Sequence, residues 1–549
     1  MKKLFFAAAI LLILLGLGLR TTQPSARSVV PVLYWVIDPA PARPEQIHLF
    51  HLWLIENGHG TTRTLESPAD LRAFREQPWS EALKNAIREA TPDGAAALDP
   101  GTDPSALPLV VRYPNAEMRL DAASNDLNKK VIQGVSGIAG DVVEAGGVQM
   151  PYLASIGMLA DLTESAREKG FGPDKTYPAL KPALFYQDRQ YAFPRNPAQN
   201  LYWVNRDTFK AHGQPPPPRR WTLDEFERRG KAFVEAANPR GGRHTVFFAD
   251  RALVQELRRG MGLSIFNETM TRSTLDDPRN AELLARVHKW TYEDRILPSA
   301  ADRASFDTQG GWGGQTFQLF KSGRYGMVAS GRWALMVFRQ FEPIDLAVVE
   351  PPHAGLPNTL LAGGRSTVYV LSPHREYAEL FLAFMADEAY NMQIVRDGDG
   401  LPPNPKYVET EAFTHPPDYP NEWGSHEVFS ESAQTIAITR SSSPFVLTVV
   451  VERIEQEAMD MVMNGRATPE EAARNAAARV NAEIRRTLDE QPNLRRLHDE
   501  WSTLQRKIDA AREKGEPIDP NWVKNPFHQR LYQVEGRFSE TADDAEAGL

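Results

Sequence analysis

Apolar and polar positions along this chain fall into blocks that read alternately as strands and helices. Residues 31–37, PVLYWVI, are an unbroken apolar run with β-branched and aromatic members, the pattern of a strand buried on both faces. Asp38 and Pro39 end it, and residues 44–55 follow with a helical stripe of Ile47, Phe50, Leu52 and Leu54. LPLVVRY (107–113) predicts a second strand. Residues 121–135 predict a helix with Leu127, Val131, Ile132 and Val135 on one face. DVVEAGG (141–147) predicts a strand entering a glycine turn, and PYLASIGMLADLT (151–163) a helix that breaks at its glycine. Strand, helix, strand, helix is the alternation of a doubly wound α/β sheet. Ligands of such sheets sit at the carboxyl ends of strands, where Asp38 and Glu144 stand. Most of 59–105 is rich in Pro, Asp, Gly and Ala, shows one helix near 78–90, and reads as an insertion.

The stretch 191–226 carries the densest punctuation. A short strand ends at Pro194, the polar loop Arg195–Asn200 follows, and a second apolar strand runs into Asn205. A helical turn stops at Gly213, four prolines act as a stiff spacer, and Thr222 with Glu225 forms a capping box. Beyond it helices dominate. Short strands are expected in GRYGMVASG (323–331), LAVVEPP (346–352) and TVYVLS (367–372), and a helix over 374–396 ending near Gly398. Residues 400–425 read as a proline-rich loop and 444–464 as a helix. Thr468-Pro469-Glu470-Glu471 starts another with cap, N1 proline and N3 glutamate in register. From Leu494, the residues Leu497, Trp501, Leu504, Ile508 and Ala511 make a short heptad seam. It is expected to pack on the globular body, with a partner-binding helix as the alternative. Residues 539–549 are polar and acidic.

Composition narrows the function classes. The chain has 549 residues, net charge −9 and no cysteine. Length suits two lobes with additions. The acidic balance and the lack of a basic run argue against nucleic acid as a partner. Disulfides, thiolate nucleophiles and Cys-ligated metals are excluded, as is a lipid-anchored cysteine. MKKLFFAAAILLILLGLGLR at the N-terminus places two lysines before an apolar run at 4–19. That is the layout of a signal peptide or an uncleaved membrane anchor over residues 1–22, so the bulk of the chain is expected periplasmic or anchored to the outer face of the cytoplasmic membrane.

Seven segments, taken in order, resemble family 1 extracellular solute-binding proteins, the capture subunits of ABC importers. They are DVVEAGG…YLASIGMLADLT, DRQYAFPRNPAQNLYWVNRDTFKAHG, WTLDEF, FQLFKSGRYGMVASGRWAL, HREYAELFLAFMADEAYNMQI, GLPPNP and NGRATPEEAARNAAARVNAEI. The likeness runs over about residues 31–490. It departs at the 59–105 insertion, in the tail after 490, and at Val204-Asn205, where the family has Tyr-Asn. The resemblance implies an α/β, two-lobed periplasmic-binding-protein fold of class II type with an interlobe ligand cleft and a C-terminal helical extension (491–549). Lobe 1 is expected at 31–195 plus 355–405 and lobe 2 at 200–350 plus 406–490. It further implies a monomer that takes a small-molecule ligand, a carbohydrate, and passes it to a membrane permease, with no cofactor and no metal.

Sugar clefts use flat aromatic faces together with carboxylate, amide and Arg groups. The candidate residues are therefore Trp312, presented between glycine pairs, Trp333, after Gly331-Arg332, and Trp35, for which core packing is the alternative. Asp38 and Glu144 stand at strand ends. Arg195, Asn196 and Gln199 come from the crossing loop. Gly364 permits close backbone approach, and Arg365 with Arg195 suits an anionic group. Trp203 and Trp221 are assigned to the core. His48 and His51, near His59, have metal-ligand spacing but no third strong ligand, so packing is expected. Asp397-Gly398-Asp399-Gly400 starts like a calcium loop but lacks the distal glutamate. Two rivals remain. One is the same fold with a non-sugar ligand such as a polyol phosphate, polyamine or metal. The other is a secreted glycosidase using Glu144 with Asp38 or Asp141.

Overall fold

A computed structural model of the chain describes residues 28–122, 126–146, 149–306 and 314–539. The apolar run 4–19, Trp312 and the last ten residues lie outside the described residues. The chain divides into two compact units, residues 1–123 with 376–378, and residues 124–375 with 379–549. This boundary differs from the lobe limits expected above.

In the first unit, strand Val32–Ile37 pairs in parallel with Glu117–Ala122, with Trp35 opposite Leu120. Between them run helix Arg43–Glu56, the antiparallel pair Gly60–Leu65 and Leu109–Pro114, and the helices Pro68–Arg75, Glu81–Ala90 and Pro92–Leu98. The stretch read as an insertion is thus regular structure. Leu65, Leu71, Phe74, Trp79, Leu83 and Ile87 share one buried cluster with Leu109 and Val111. Ser67 and Ser80 cap two of its helices. His51 is fully buried and accepts a hydrogen bond from the Met118 backbone N–H at 2.9 Å, while His48 Nε2 lies 2.8 Å from Glu89. The histidine pair therefore packs. No group of three or more His, Asp or Glu suited to a metal occurs among the described residues.

Besides the short pair Phe185–Tyr186 and Arg189–Gln190, the second unit holds strands of two larger sheets. In one, the long strand Thr359–Val368 pairs antiparallel with Phe193–Gln199 and with Val142–Glu144, and in parallel with Ala437–Ile438. In the other, four strands follow the order Phe247–Ala249, Tyr325–Ser330, Leu201–Asn205, Leu346–Val349. Trp203 and Trp221 are buried as expected, one in each of two aromatic cores flanking this sheet. Both predicted capping boxes form, Thr222 with Glu225 and Thr468 with Glu471.

Four expectations change. The loop 195–200 is a strand, Phe193–Gln199, that carries Pro194 and Pro197. The strand expected at 367–372 starts at Thr359 and ends at Val368, so Gly363, Gly364 and Arg365 lie inside it. The helix expected over 121–135 begins at Leu127, and its apolar face is only partly covered: Leu127 and Val131 pack against a buried cluster, Ile132 and Val135 are 65% and 79% exposed, and Lys130 and Gly134 are the buried positions. The helix over 374–396 is two, Arg375–Ala386 and Glu388–Asp397, because Asp387 is extended and caps the second.

The tail seam packs on its own unit. Helix Pro492–Lys514 places Leu494 in a cluster with Phe445, Val480 and Ile484, and Ile508 and Ala511 in a cluster with Ile518, Val523 and Tyr532. Asn525 is fully buried and donates to Ser264 Oγ and to the carbonyls of Phe266 and Asn267.

Burial holds the imidazoles of His51 and His528 neutral. It pushes His51 down to about 4, against the nearby Glu117 charge, and His528 down to about 3, helped by Arg512. The unfolded imidazoles take up protons near pH 6.5 while the folded ones do not. Their contribution is therefore complete above that pH and lost as pH falls from 6.5 towards 4, at about 1.4 kcal/mol per pH unit for each group. Melting temperature is expected to fall steadily below pH 6.5. His51→Gln, which keeps an acceptor for Met118, is expected to flatten part of that slope in calorimetry. An unchanged slope would show that His51 does not titrate this way.

Candidate functional site

The three strands around Thr359–Val368 gather most of the residues singled out in the sequence. Gly364 lies opposite Asn196, Arg365 opposite Pro194, and Ser366 opposite Glu144, with an irregularity of register between Gly364 and Arg365. Arg195 bridges two carboxylates: its Nε is 3.4 Å from Glu144 Oε2 and its Nη1 is 3.2 Å from Asp399 Oδ2. Asn196 Nδ2 donates to Asp399 Oδ1 at 2.8 Å, and Asn196 Oδ1 accepts from the Gly364 N–H at 3.3 Å. All four side chains are buried. Two cations, Arg195 and Arg365, thus share one dry region with two anions, Glu144 and Asp399. Burial pushes Arg365 down to about 10, opposed by the Glu144 charge. Lys130, also buried, donates to the Glu144 carbonyl at 2.6 Å and to Gln149 Oε1 at 2.7 Å, fixing the end of that strand.

Asp399 is the partner that the sequence reading passed over as half a calcium loop. Helix Glu388–Asp397 ends at Gly398, whose φ of +73° turns the chain. The turn docks by a hydrogen bond from the Leu401 N–H to the Pro197 carbonyl at 2.8 Å. Gln199 Nε2 donates to the Phe429 carbonyl at 2.5 Å, so it braces the strand from inside.

Gly364 is required by space. A Cβ there would overlap Glu144 Oε1 and stand 2.7 Å from Arg195 Nη2. Gly363, at φ +115°, would bring a Cβ to 2.9 Å from the Ala198 nitrogen. The backbone of Ala362, Gly363 and Gly364 is partly exposed, as is Ala198 across the ladder from Ala362. Trp333 stands beside this strip. Its Cδ1 lies 2.7 Å, and Ala198 Cβ 3.4 Å, from the point where Gly331 would carry a Cβ. The indole is half-buried, tilted against Phe317 with ring centroids 5.5 Å apart. A narrow floor of small residues therefore meets one aromatic ring, above a polar interior.

Residues 115–421 match the model of a family described as bacterial extracellular solute-binding proteins. The chain belongs to this family. Among solved structures, an ABC substrate-binding protein from Listeria monocytogenes in complex with cycloalternan matches with a TM-score of 0.62 at 19% identity, over 83% of this chain and 99% of that chain. The GacH receptor of Streptomyces glaucescens, solved unliganded and with acarbose, matches at 0.58 and 15%, over 83% and 99%. UgpB from Mycobacterium tuberculosis in complex with glycerophosphocholine matches at 0.55 and 16%, over 68% and 91%. These likenesses show that the solute-binding protein has the two-lobed α/β fold of periplasmic binding proteins. No curated protein sequence matches it.

Trp35 and Asp38 belong to the first unit. Trp35 has no exposed surface; it is a core residue of the first unit, with the Arg43 guanidinium 5.6 Å from its ring. Asp38 pairs with Arg43 at 3.4 Å. Trp312 lies outside the described residues. Two cavities of about 620 and 640 Å³ adjoin the C-terminal extension of the solute-binding protein instead. The arginines lining the second are already paired, Arg272 with Asp276, Arg279 with Asp277, Arg512 with Glu268 and Arg537 with Glu535.

Gly364→Ala is expected to cost at least about 2 kcal/mol, because its methyl displaces one member of a buried ion pair. Urea unfolding measures this. A loss below about 0.5 kcal/mol, the range of neutral surface changes, would show that the strand shifts to absorb the methyl.

Proposed function

We propose that this chain is the extracytoplasmic capture subunit of an ABC importer, that its ligand is a neutral sugar or oligosaccharide, and that it hands this ligand to a membrane permease without transforming it. One observation carries the reading. The partly exposed Trp333 ring stands beside a floor of Ala198, Ala362, Gly363 and Gly364, a flat apolar surface that suits one face of a pyranose. The polar groups behind it, Asn196 and Gln199 among them, hold that floor in place. Trp312 remains the sequence's candidate for a second aromatic face. The cycloalternan-bound and acarbose-bound neighbours are consistent with a carbohydrate.

Charge favours a neutral ligand over a phosphorylated one. Arg195 is engaged by Glu144 and Asp399, and Arg365 sits buried beside Glu144, so neither cation is held in reserve for an anion. The same engagement weighs against a glycosidase. Glu144 faces Arg195, and Asp141 accepts from Ser372 Oγ at 2.6 Å. On this reading the protein works as a monomer, periplasmic or held at the outer face of the membrane by the run at 4–19.

Thermal-shift screening against a sugar panel, with glycerophosphocholine and sugar phosphates as contrasts, tests the reading. A neutral oligosaccharide at 100 times its Kd is expected to stabilise the fold by about 2.7 kcal/mol. Trp333→Ala is expected to abolish that shift while leaving the free protein folded. Stabilisation by phosphates alone, or turnover of the sugar, would reject it.

A further inference from the structure

Next to the candidate platform lies a buried guanidinium that the ligand reading leaves unused. Arg332, immediately before Trp333, is 1% exposed. Its Nη1 donates to the carbonyls of Gly400 at 3.0 Å and Ile394 at 3.3 Å, its Nη2 to Val395 at 3.0 Å, and its Nε to His426 Nδ1 at 3.1 Å. The guanidinium lies 4.5 Å over the Phe413 ring. None of these partners carries a negative charge. Burial pushes Arg332 down to about 9.

The contact with His426 fixes a tautomer. Arginine has no acceptor, so His426 Nδ1 carries the lone pair and the ring proton is on Nε2, which lies 3.3 Å from Glu422 Oε2. Glu422 is 1% exposed and is held by Arg339 through two bonds of 2.8 Å each. Burial keeps this imidazole neutral, down to about 4, with Arg332 and Arg339 acting in the same direction and Glu422 opposing. Arg339 thus holds Glu422, Glu422 stands beside His426 Nε2, and His426 Nδ1 accepts from Arg332.

We infer that Arg332, oriented by neutral His426, is the positioning residue that sets Trp333 relative to the strand carrying Asn196. The geometry gives it both ends of that distance. Its backbone is one residue from the indole. Its side chain grips the Gly400 carbonyl, and the neighbouring Asp399 carboxylate holds Arg195 and Asn196. A third strut runs from Trp203 Nε1 to the Gly331 carbonyl at 3.1 Å. With Nδ1 lost as an acceptor, Arg332 keeps its carbonyl contacts but its buried Nε donor loses its partner, and the guanidinium with the adjoining Trp333 settles differently to relieve it. The inference rests on the sugar reading only for its effect on affinity; the placement of Trp333 is a property of the ligand-free protein.

The test uses the full chain labelled with 5-fluorotryptophan, the Trp333 resonance being assigned by Trp333→Phe. His426→Leu removes the acceptor at similar bulk, whereas His426→Gln restores an oxygen acceptor. The Trp333 resonance is expected to move or broaden in His426→Leu and to return to its wild-type position in His426→Gln. With maltotriose as the probe, His426→Leu is expected to weaken binding about tenfold, equivalent to 1.4 kcal/mol, and His426→Gln to bind as the wild type does. A resonance unmoved in both variants, or moved equally in both, would reduce His426 to packing and overturn the inference. If no sugar binds the wild type, the sugar reading fails while the fluorine resonance still decides this one. Arg332→Lys, which keeps the charge but not the planar fork, is expected to behave like His426→Leu.

Discussion

Everything at the paired strands depends on two buried arginines finding two buried carboxylates within a space that holds no side chain at Gly364. A charge taken out of water costs several kcal/mol unless a partner meets it closely. Arg195 meets Glu144 and Asp399 because strands Val142–Glu144 and Phe193–Gln199 both pair with Thr359–Val368 around Gly364, while the turn after Gly398 docks on Phe193–Gln199. The residue at that point has no Cβ because the side chains of its neighbours occupy the volume. The glycine and the ion pairs are therefore one constraint: the strands approach closely enough for the charges to meet only where nothing stands between them.

That constraint accounts for the character of the exposed side. With the charged groups turned inward and mutually neutralised, what faces out is small and nearly apolar, Ala198, Ala362 and the glycine backbone, with Trp333 at the margin. The shape of this surface is kept by struts beneath it: Lys130 on the Glu144 carbonyl, Gln199 on the Phe429 carbonyl, and Arg332 on the Gly400 carbonyl. Each is a long side chain reaching a main-chain oxygen, which locks backbone to backbone without filling the site.

Local signals in the sequence were the ones that held. Helix starts at Thr222 and Thr468 carry their chemistry within four residues, and the strand at Leu201 is apolar throughout, so each could be recognised in isolation. Glu144, Arg195, Asn196, Gly364 and Arg365 were also legible, as residues worth choosing. Their common location was not, since it depends on pairings between positions about 50 to 220 apart. Strand Phe193–Gln199 was missed for a physical reason: its polar members are satisfied by distant partners, and its two prolines imitate a loop. Asp399 was visible only as part of a glycine-rich turn. The face of Ile132 and Val135 was misjudged in the opposite sense, because apolar spacing alone does not reveal that Lys130 is the residue drawn inward to reach a carbonyl.

The prolines in Phe193–Gln199 have a further consequence. Among the described residues this strand pairs on one side, with Thr359–Val368. A strand with one unpaired side is normally a template on which a second chain can add itself. Pro194 and Pro197 remove two amide donors from seven residues, and the Pro197 carbonyl is already taken by Leu401. An incoming strand would find gaps in the ladder it needs. The residues that make this segment look irregular also leave its open side a poor template for a further strand.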